Sequence, residues 1–318
     1  MKAKNCLIFG GTGQIGRNLI RKLAKNNYKV TVITRNAHTK GNFIKTQANA
    51  GYIEIIEANP FDEKELNPYF EKTDICINLI GILFEKGKKN SFANIHSYFP
   101  MMLAKLAHQN KIQQLIHVSA LGVDKAVDSK YATSKLNGEK NVLKYFNKSL
   151  ILRPSIVYSI DDNFSTTFMT LLNKLPIFPI YYNGKTKFTP IHCSDMTDII
   201  LNVIDNNFNS KIIECVGPEI LSFKEILTIL LNSIGKKRFF LPFPLFAAKI
   251  SAKILEIMPN PLLTSDQLKL LKYDNVISKN YATNSSIGVP AKKIFKNEIE
   301  KYSHMWRDGG QFSKKGLT

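Results

Sequence analysis

The chain lacks several things. None of its apolar runs, in 318 residues, reaches the roughly 18–20 residues of a bilayer-crossing helix. Cysteine is scarce, and Cys6, Cys76, Cys193 and Cys215 form no C-x-x-C pair. That spacing favours neither a zinc site nor a disulfide framework, so the thiols read as reduced packing residues and no metal is expected. Arginine is scarce too: only six of the 44 basic residues (positions 17, 21, 35, 153, 238 and 307) are arginine. The lysines are spread along the whole chain, so the formal charge of +19 carries none of the clustering of a nucleic-acid reader. An acidic membrane or a large acidic partner is the more natural counterpart of such a charge. Met1-Lys2-Ala3-Lys4-Asn5-Cys6 passes straight into a strand-like run and leaves no room for a cleaved leader. A cytoplasmic protein, or one lying peripherally on the inner face of a membrane, is expected.

What the chain does have is a regular alternation. Runs at 6–9, 30–33, 52–56, 75–80, 115–118 and 150–152 are apolar and short, as buried strands are. Between them, 14–26, 92–109 and 131–146 have helical periodicity; Ile15, Leu19, Ile20 and Leu23 share one face. Strands apolar on both faces and alternating with helices predict an α/β fold, a doubly wound parallel sheet of Rossmann type. Beyond residue 158 prolines become frequent and the alternation stops. The chain therefore divides into a dinucleotide-binding domain, 1–158, and a small mixed α/β C-terminal domain, 159–318. One or two strands within 187–216 are expected to return to the sheet.

The first strand runs into Gly10-Gly11-Thr12-Gly13-Gln14-Ile15-Gly16, and a helix follows. Glycines 11, 13 and 16 fit G-x-G-x-x-G; glycines 10, 13 and 16 fit G-x-x-G-x-x-G. Between strand and helix, such a loop brings backbone N–H groups and a positive helix end to a pyrophosphate. At the end of the second strand, NAD-specific domains place an acidic residue; here the run is Val32-Ile33-Thr34-Arg35-Asn36. Arg35 can pair with a 2′-phosphate, which favours NADP(H) over NAD(H). The alternative is a solvated charge at a strand end.

Tyr131-Ala132-Thr133-Ser134-Lys135 opens the helix after the fifth strand. Its spacing puts Tyr131 and Lys135 on one helical face. Lys135 is expected to bind the nicotinamide ribose and lower the Tyr131 pKa, leaving Tyr131 as general acid or base. Ser119, at the end of the fifth strand, would orient the substrate oxygen. A tyrosine packed on a domain seam beside a solvated lysine is the alternative.

These residues, with Asn78-Leu79-Ile80-Gly81 and Arg153-Pro154-Ser155-Ile156-Val157-Tyr158, resemble an extended or atypical short-chain dehydrogenase/reductase over the whole chain. The resemblance implies that Leu79, Ile80 and Gly81 lie near the adenosine ribose. It also implies that the segment after Pro154, with Ile156, reaches the nicotinamide carboxamide. Pro190-Ile191-His192-Cys193-Ser194-Asp195 resembles the family's late strand-to-helix junction, where Asp195 would cap a helix and His192 would be structural. Asn59 stands where the family has an aspartate contacting adenine. The Ser119–Tyr131 interval is short for an extended member, which affects the substrate side more than the cofactor side.

Asp162-Asn163-Phe164, Leu263-Thr264-Ser265-Asp266-Gln267-Leu268-Lys269-Leu270-Leu271 and Asp274-Asn275-Val276 are similar to the NAD(P)H-binding accessory subunits of respiratory complex I and their bacterial relatives. That resemblance implies a tightly held NADPH, attachment to complex I subunits and a structural or assembly role. Two alternatives stay open. One is a working reductase, epimerase or dehydratase on a nucleotide-sugar, isoprenoid or quinone-related substrate; the other is an NADP(H)-sensing regulator. Residues 239–261 mix aromatic and aliphatic residues with Lys249 and Lys253, and 245–258 reads as a helix with a broad apolar face. It could meet a membrane surface, a partner or the chain's own core.

Overall fold

A computed structural model describes residues 3–206, 208, 211–256, 258, 261 and 263–312. The first half runs β1 (Asn5–Phe9), α1 (Gln14–Lys25), β2 (Lys29–Thr34), α2 (Ala37–Lys45), β3 (Ile53–Glu57), α3 (Glu63–Phe70), β4 (Ile75–Asn78), α4 (Phe99–Gln109), β5 (Gln114–Val118), α5 (Lys130–Tyr145) and β6 (Ser149–Pro154). The second half runs β7 (Val157–Tyr158), α6 (Ser165–Lys174), β8 (Ile177–Ile180), β9 (Lys187–Phe188), β10 (Ile191–His192), α7 (Cys193–Asp205), β11 (Ile212–Cys215), β12 (Leu221–Ser222), α8 (Phe223–Ser233), β13 (Phe239–Pro242), α9 (Leu245–Leu255), α10 (Ser265–Leu270), β14 (Ala282–Thr283) and α11 (Phe295–Glu300).

Eight strands form one parallel sheet in the order β3-β2-β1-β4-β5-β6-β11-β14. Alternate residues of β1 enter different cores. Cys6 and Ile8 pack with α1 and α7 on one face, Leu7 and Phe9 with α3 and α4 on the other. That two-faced burial is why the strand reads as a continuous apolar run. The expected doubly wound fold is what forms. One of its returning strands, β11, lies within the expected range, and a second, β14, comes from farther along. A third core gathers Tyr158, Phe178, Phe223 and Phe295 from the second half, with α6, α8 and α11 around it.

Two expected elements are redrawn. The fourth strand stops at Asn78 because the Asn78 side chain accepts from Ile80 N (3.0 Å) and turns the chain. The helix over 92–109 begins as a π-helical stretch, Ala93–Tyr98, and becomes α-helical only at Phe99. Pro100 has no N–H to give the carbonyl four residues back, that of His96, and the wider turn absorbs the mismatch. The His96 carbonyl presses on α5 at Gly138, where a Cβ would come within 1.9 Å of it. The expected helix at 245–258 ends at Leu255; position 257 of that stretch lies outside the described residues.

Candidate functional site

β1 delivers the chain to Gly10, whose φ of +83° is open to glycine at little cost. At Gly16 a Cβ would sit 2.5 Å from the Gly10 carbonyl oxygen, so only glycine lets α1 close on the loop. The head of α1 has no side-chain cap and no acidic residue in its first turn. Its N–H groups are therefore available to an anion, the condition a pyrophosphate requires. A cavity of about 180 Å³ opens there, bounded by Gly10, Thr12, Arg35, Phe61, Ile80 and Gly81. Cradle, uncapped helix and cleft together fit a dinucleotide.

The structure brings most of the expected binding residues together. Leu79 backs Gly10, and Gly11 packs over Val32. Ile15 packs partly into the core behind the loop. Arg35 stands at the cleft with one weak side-chain partner among the described residues, Asn90 (3.4 Å). Asn59 does not enter the cleft: it is exposed and accepts from Phe61 N (3.1 Å), and Pro60 and Phe61 form the wall instead. Gln14 turns away to Ser159 (2.9 Å). Arg17 holds the Thr12 carbonyl (2.7 Å) and pairs with Asp161, so the loop is fastened to the segment after β7. The Pro154 carbonyl accepts from Leu121 N (2.8 Å) and that of Ile156 from Ile191 N (2.9 Å).

The inner end of the cleft meets α5. A Cβ on Gly81 would lie 3.2 Å from Lys135 Nζ, and that amine donates to the Val118 carbonyl (3.2 Å). Burial lowers the Lys135 pKa to about 8, with Glu139 opposing the shift. Burial pushes the Tyr131 phenol up to about 12. The expected lowering of Tyr131 by Lys135 is thus absent: desolvation dominates the phenol, and the amine is turned to the Val118 carbonyl. The Tyr131 ring stands edge-on to Phe92 and His96. Ser119 Oγ is buried without a hydrogen-bond partner among the described residues.

Sequence reading missed His96, which the π-helical turn aims at this place. Its Nε2 accepts from Ile82 N (3.1 Å), so the ring proton sits on Nδ1, against Ser134 Oγ (2.9 Å). Ser134 in turn donates to the Tyr131 carbonyl (2.7 Å). Burial first, then Lys135 and His117, holds His96 neutral. His117, brought to about 3 chiefly by burial, pairs with Asn78 (3.1 Å). No spacing in the sequence announces this cluster, because it depends on the turn made before Pro100.

The late blocks also find their place. Asp266 of α10 accepts from Lys130 N (2.8 Å), Tyr131 N (2.9 Å) and Ser129 Oγ (2.7 Å). It therefore caps the helix that carries Tyr131 and Lys135. Asn275 accepts from Ser155 Oγ (2.6 Å) and donates to the Leu121 carbonyl (2.7 Å), joining the ends of β5 and β6. Arg153 makes a bidentate pair with Glu139 (2.9 and 2.7 Å) and reaches Asp124 (2.7 Å), tying β6 to α5. At the 190–195 junction His192 is structural, as expected, but the cap expected of Asp195 is made by His192. The His192 ring accepts from Ser194 N (3.2 Å) and caps α7, whereas Asp195 binds Lys292 N and Lys293 N (3.0 and 2.9 Å). The four cysteines are buried free thiols, and no metal-ligand cluster occurs among the described residues.

A doubly wound parallel sheet, a glycine cradle at an uncapped helix and a cleft along the strand ends define a nicotinamide-dinucleotide-binding protein of the short-chain reductase type. The chain belongs to the NAD dependent epimerase/dehydratase family, whose pattern matches residues 6–215. Its relatives include the NADH dehydrogenase [ubiquinone] 1 alpha subcomplex subunit 9 of Arabidopsis thaliana, 25% identical over 95% of this chain and 78% of that one. The subunit of the same name in Dictyostelium discoideum is 26% identical over 96% of this chain and 86% of its own length. Among solved structures, DesIV, a dTDP-glucose 4,6-dehydratase from Streptomyces venezuelae with NAD and TYD bound, superposes with a TM-score of 0.71 at 17% identity. That match covers 95% of this chain and 96% of the other, and it shows the fold alone.

Proposed function

We propose that this chain is an accessory or assembly subunit of respiratory complex I that holds NADP(H) for structure more than for turnover. The observation that carries the reading is the Asp266 cap. The segment similar to the complex I subunits is bonded directly to the head of the helix that would hold the nicotinamide ribose. Cofactor binding at Lys135 and the order of residues 264–275 are thereby one mechanical unit. Arg35 at the cleft, with no acidic residue in that position, supports NADP(H) over NAD(H). Gly10 to Gly16 would cradle the pyrophosphate, and Gly81 would face the adenosine ribose. Attachment to complex I subunits implies a peripheral position at the membrane carrying the complex; no helix among the described residues is long and apolar enough to cross it.

The test is a native pull-down from gently solubilised host membranes, with the bound nucleotide identified by mass. Complex I subunits in fixed proportion with NADPH retained are the expected result. Recovery of the protein alone would sink the accessory role. One observation favours a second reading, a working reductase. Ser119 Oγ is a buried polar atom without a partner among the described residues, which a substrate oxygen could satisfy.

A further inference from the structure

In the sheet, β2 and β4 lie on either side of β1. Arg35 leaves the end of β2, and Asn90 returns in the loop that follows β4, so the two approach the glycine loop from opposite sides. Both line the dinucleotide cleft, and Arg35 Nη1 donates to Asn90 Oδ1 at 3.4 Å. That is long for such a bond, whose usual separation is about 2.9–3.0 Å. The contact is two side chains meeting across an opening, and a ligand group can displace it. Arg35 is the only charged residue in the lining, no carboxylate joins it there, and it forms no ion pair among the described residues. Glu57, at the end of β3, accepts from Ala37 N (2.8 Å) and stands outside the lining.

The loop keeps its shape without the Asn90 side chain. Gly87, with φ +69°, turns the chain, and Lys86 N donates to the Asn90 carbonyl (3.0 Å) in an antiparallel bridge. Glu85 accepts from Phe92 N (2.7 Å), and Asn94 Nδ2 donates to the Lys88 carbonyl (2.8 Å). The Asn90 carboxamide takes no part in these bonds, and Arg35 is its one hydrogen-bond partner among the described residues. A polar side chain set on a braced turn and aimed into a cleft is placed for a ligand. Lys86, Lys88 and Lys89 are exposed on the same turn against the single Glu85, a balance that draws an anion. A carboxamide has two ends of nearly one shape: Oδ1 accepts and Nδ2 donates. Facing Arg35 alone, Asn90 accepts. A phosphate monoester between the two would give two oxygens to the guanidinium fork and turn a third toward the loop. Asn90, rotated about its last bond, meets that third oxygen with Nδ2–H. We infer that Asn90 is a second reader of the adenosine 2′-phosphate, completing across the cleft the site that Arg35 begins. The inference rests on the NADP(H) reading and makes its phosphate site two-sided.

The experiment is fluorescence titration of the full chain with NADPH and NADH, with 2′,5′-ADP and 5′-AMP as competitors. The parent chain is expected to prefer NADPH. Asn90→Ala weakens NADPH about tenfold and NADH by less than about twofold. Asn90→Asp loses the donor and sets a negative charge against the phosphate; it weakens NADPH roughly 50-fold and leaves NADH bound, so the preference disappears. Asn90→Ser, which keeps a donor, falls between the parent and Asn90→Ala. In each variant 2′,5′-ADP follows NADPH and 5′-AMP follows NADH. Retained NADH binding reports that the variant is folded. An Asn90→Asp chain that keeps the parent's preference overturns the inference and leaves Arg35 as the sole reader. Equal losses of NADPH and NADH overturn it as well, since Asn90 would then only brace the cleft. A parent chain that binds both cofactors equally overturns the NADP(H) reading itself, and this inference with it.

Discussion

Lys135 sits where burial and chemistry pull in opposite directions. An unfolded lysine titrates near ~10.4, whereas burial brings this one to about 8. Between those values the unfolded chain holds a proton that the folded chain has lost, so stability rises with pH across that window. The burden is complete below about pH 8 and relieved as the pH approaches 10.4. Dinucleotide affinity runs the other way, because an anionic ligand favours the charged amine. If binding returns the amine by one pKa unit, affinity weakens about tenfold from pH 7 to 9.5. A fluorescence titration should show that slope in the parent chain and a flat profile in Lys135→Met; an unchanged slope in the variant would remove Lys135 from the site. Arg35 gives a second test at this scale. Arg35→Asp should cost NADPH roughly 10–100-fold in Kd and leave NADH nearly unaffected. Equal losses for both would mean that Arg35 reads no 2′-phosphate.

At the scale of elements, α5 depends on a cap supplied from far along the chain. Ser129 satisfies Ala132 N locally (3.2 Å), while Asp266 satisfies the two N–H groups before it. Asp266→Ala should lower stability by about 1–2 kcal/mol, read from a denaturant midpoint, and weaken the dinucleotide. Asp266→Asn, which keeps an acceptor but loses the charge, should fall between. A loss of stability with unchanged dinucleotide affinity would uncouple the cap from the site. The glycine loop, β1, α1 and the Tyr131/Lys135 pair were legible because their signals are local: a period, a spacing, a strand running into glycine. The Asp266 cap was not, since it joins positions 135 residues apart in sequence. The π-helical turn was hidden because its cause, Pro100, also fits the start of an ordinary helix. β14 is two residues long and too short to show any period. Ser119 could be named from its place at the end of β5, but its missing partner is visible only in three dimensions.

Across the whole molecule, the cofactor cleft and the late segment are linked at several points. Asp266 grips α5, Asn275 joins β5 to β6, and the segment after β7 fastens the phosphate loop through Ser159 and Asp161. Dinucleotide binding should therefore slow amide hydrogen exchange in residues 264–275 along with that of the glycine loop. Exchange measured with and without NADPH decides this. Protection confined to the loop would mean that the late segment does not sense the cofactor, and the structural use proposed for it would lose its basis.

The sheet's two outer strands carry a separate consequence. β3 bears Glu54 and Glu57, and β14 offers only two residues. A bare strand with free N–H and C=O groups invites another chain to add alongside it and propagate. Here one margin is charged and the other is too brief to nucleate such growth. The protein can thus be crowded against large neighbours through its helices and loops while resisting the strand-by-strand polymerisation that an open eight-stranded sheet would otherwise risk.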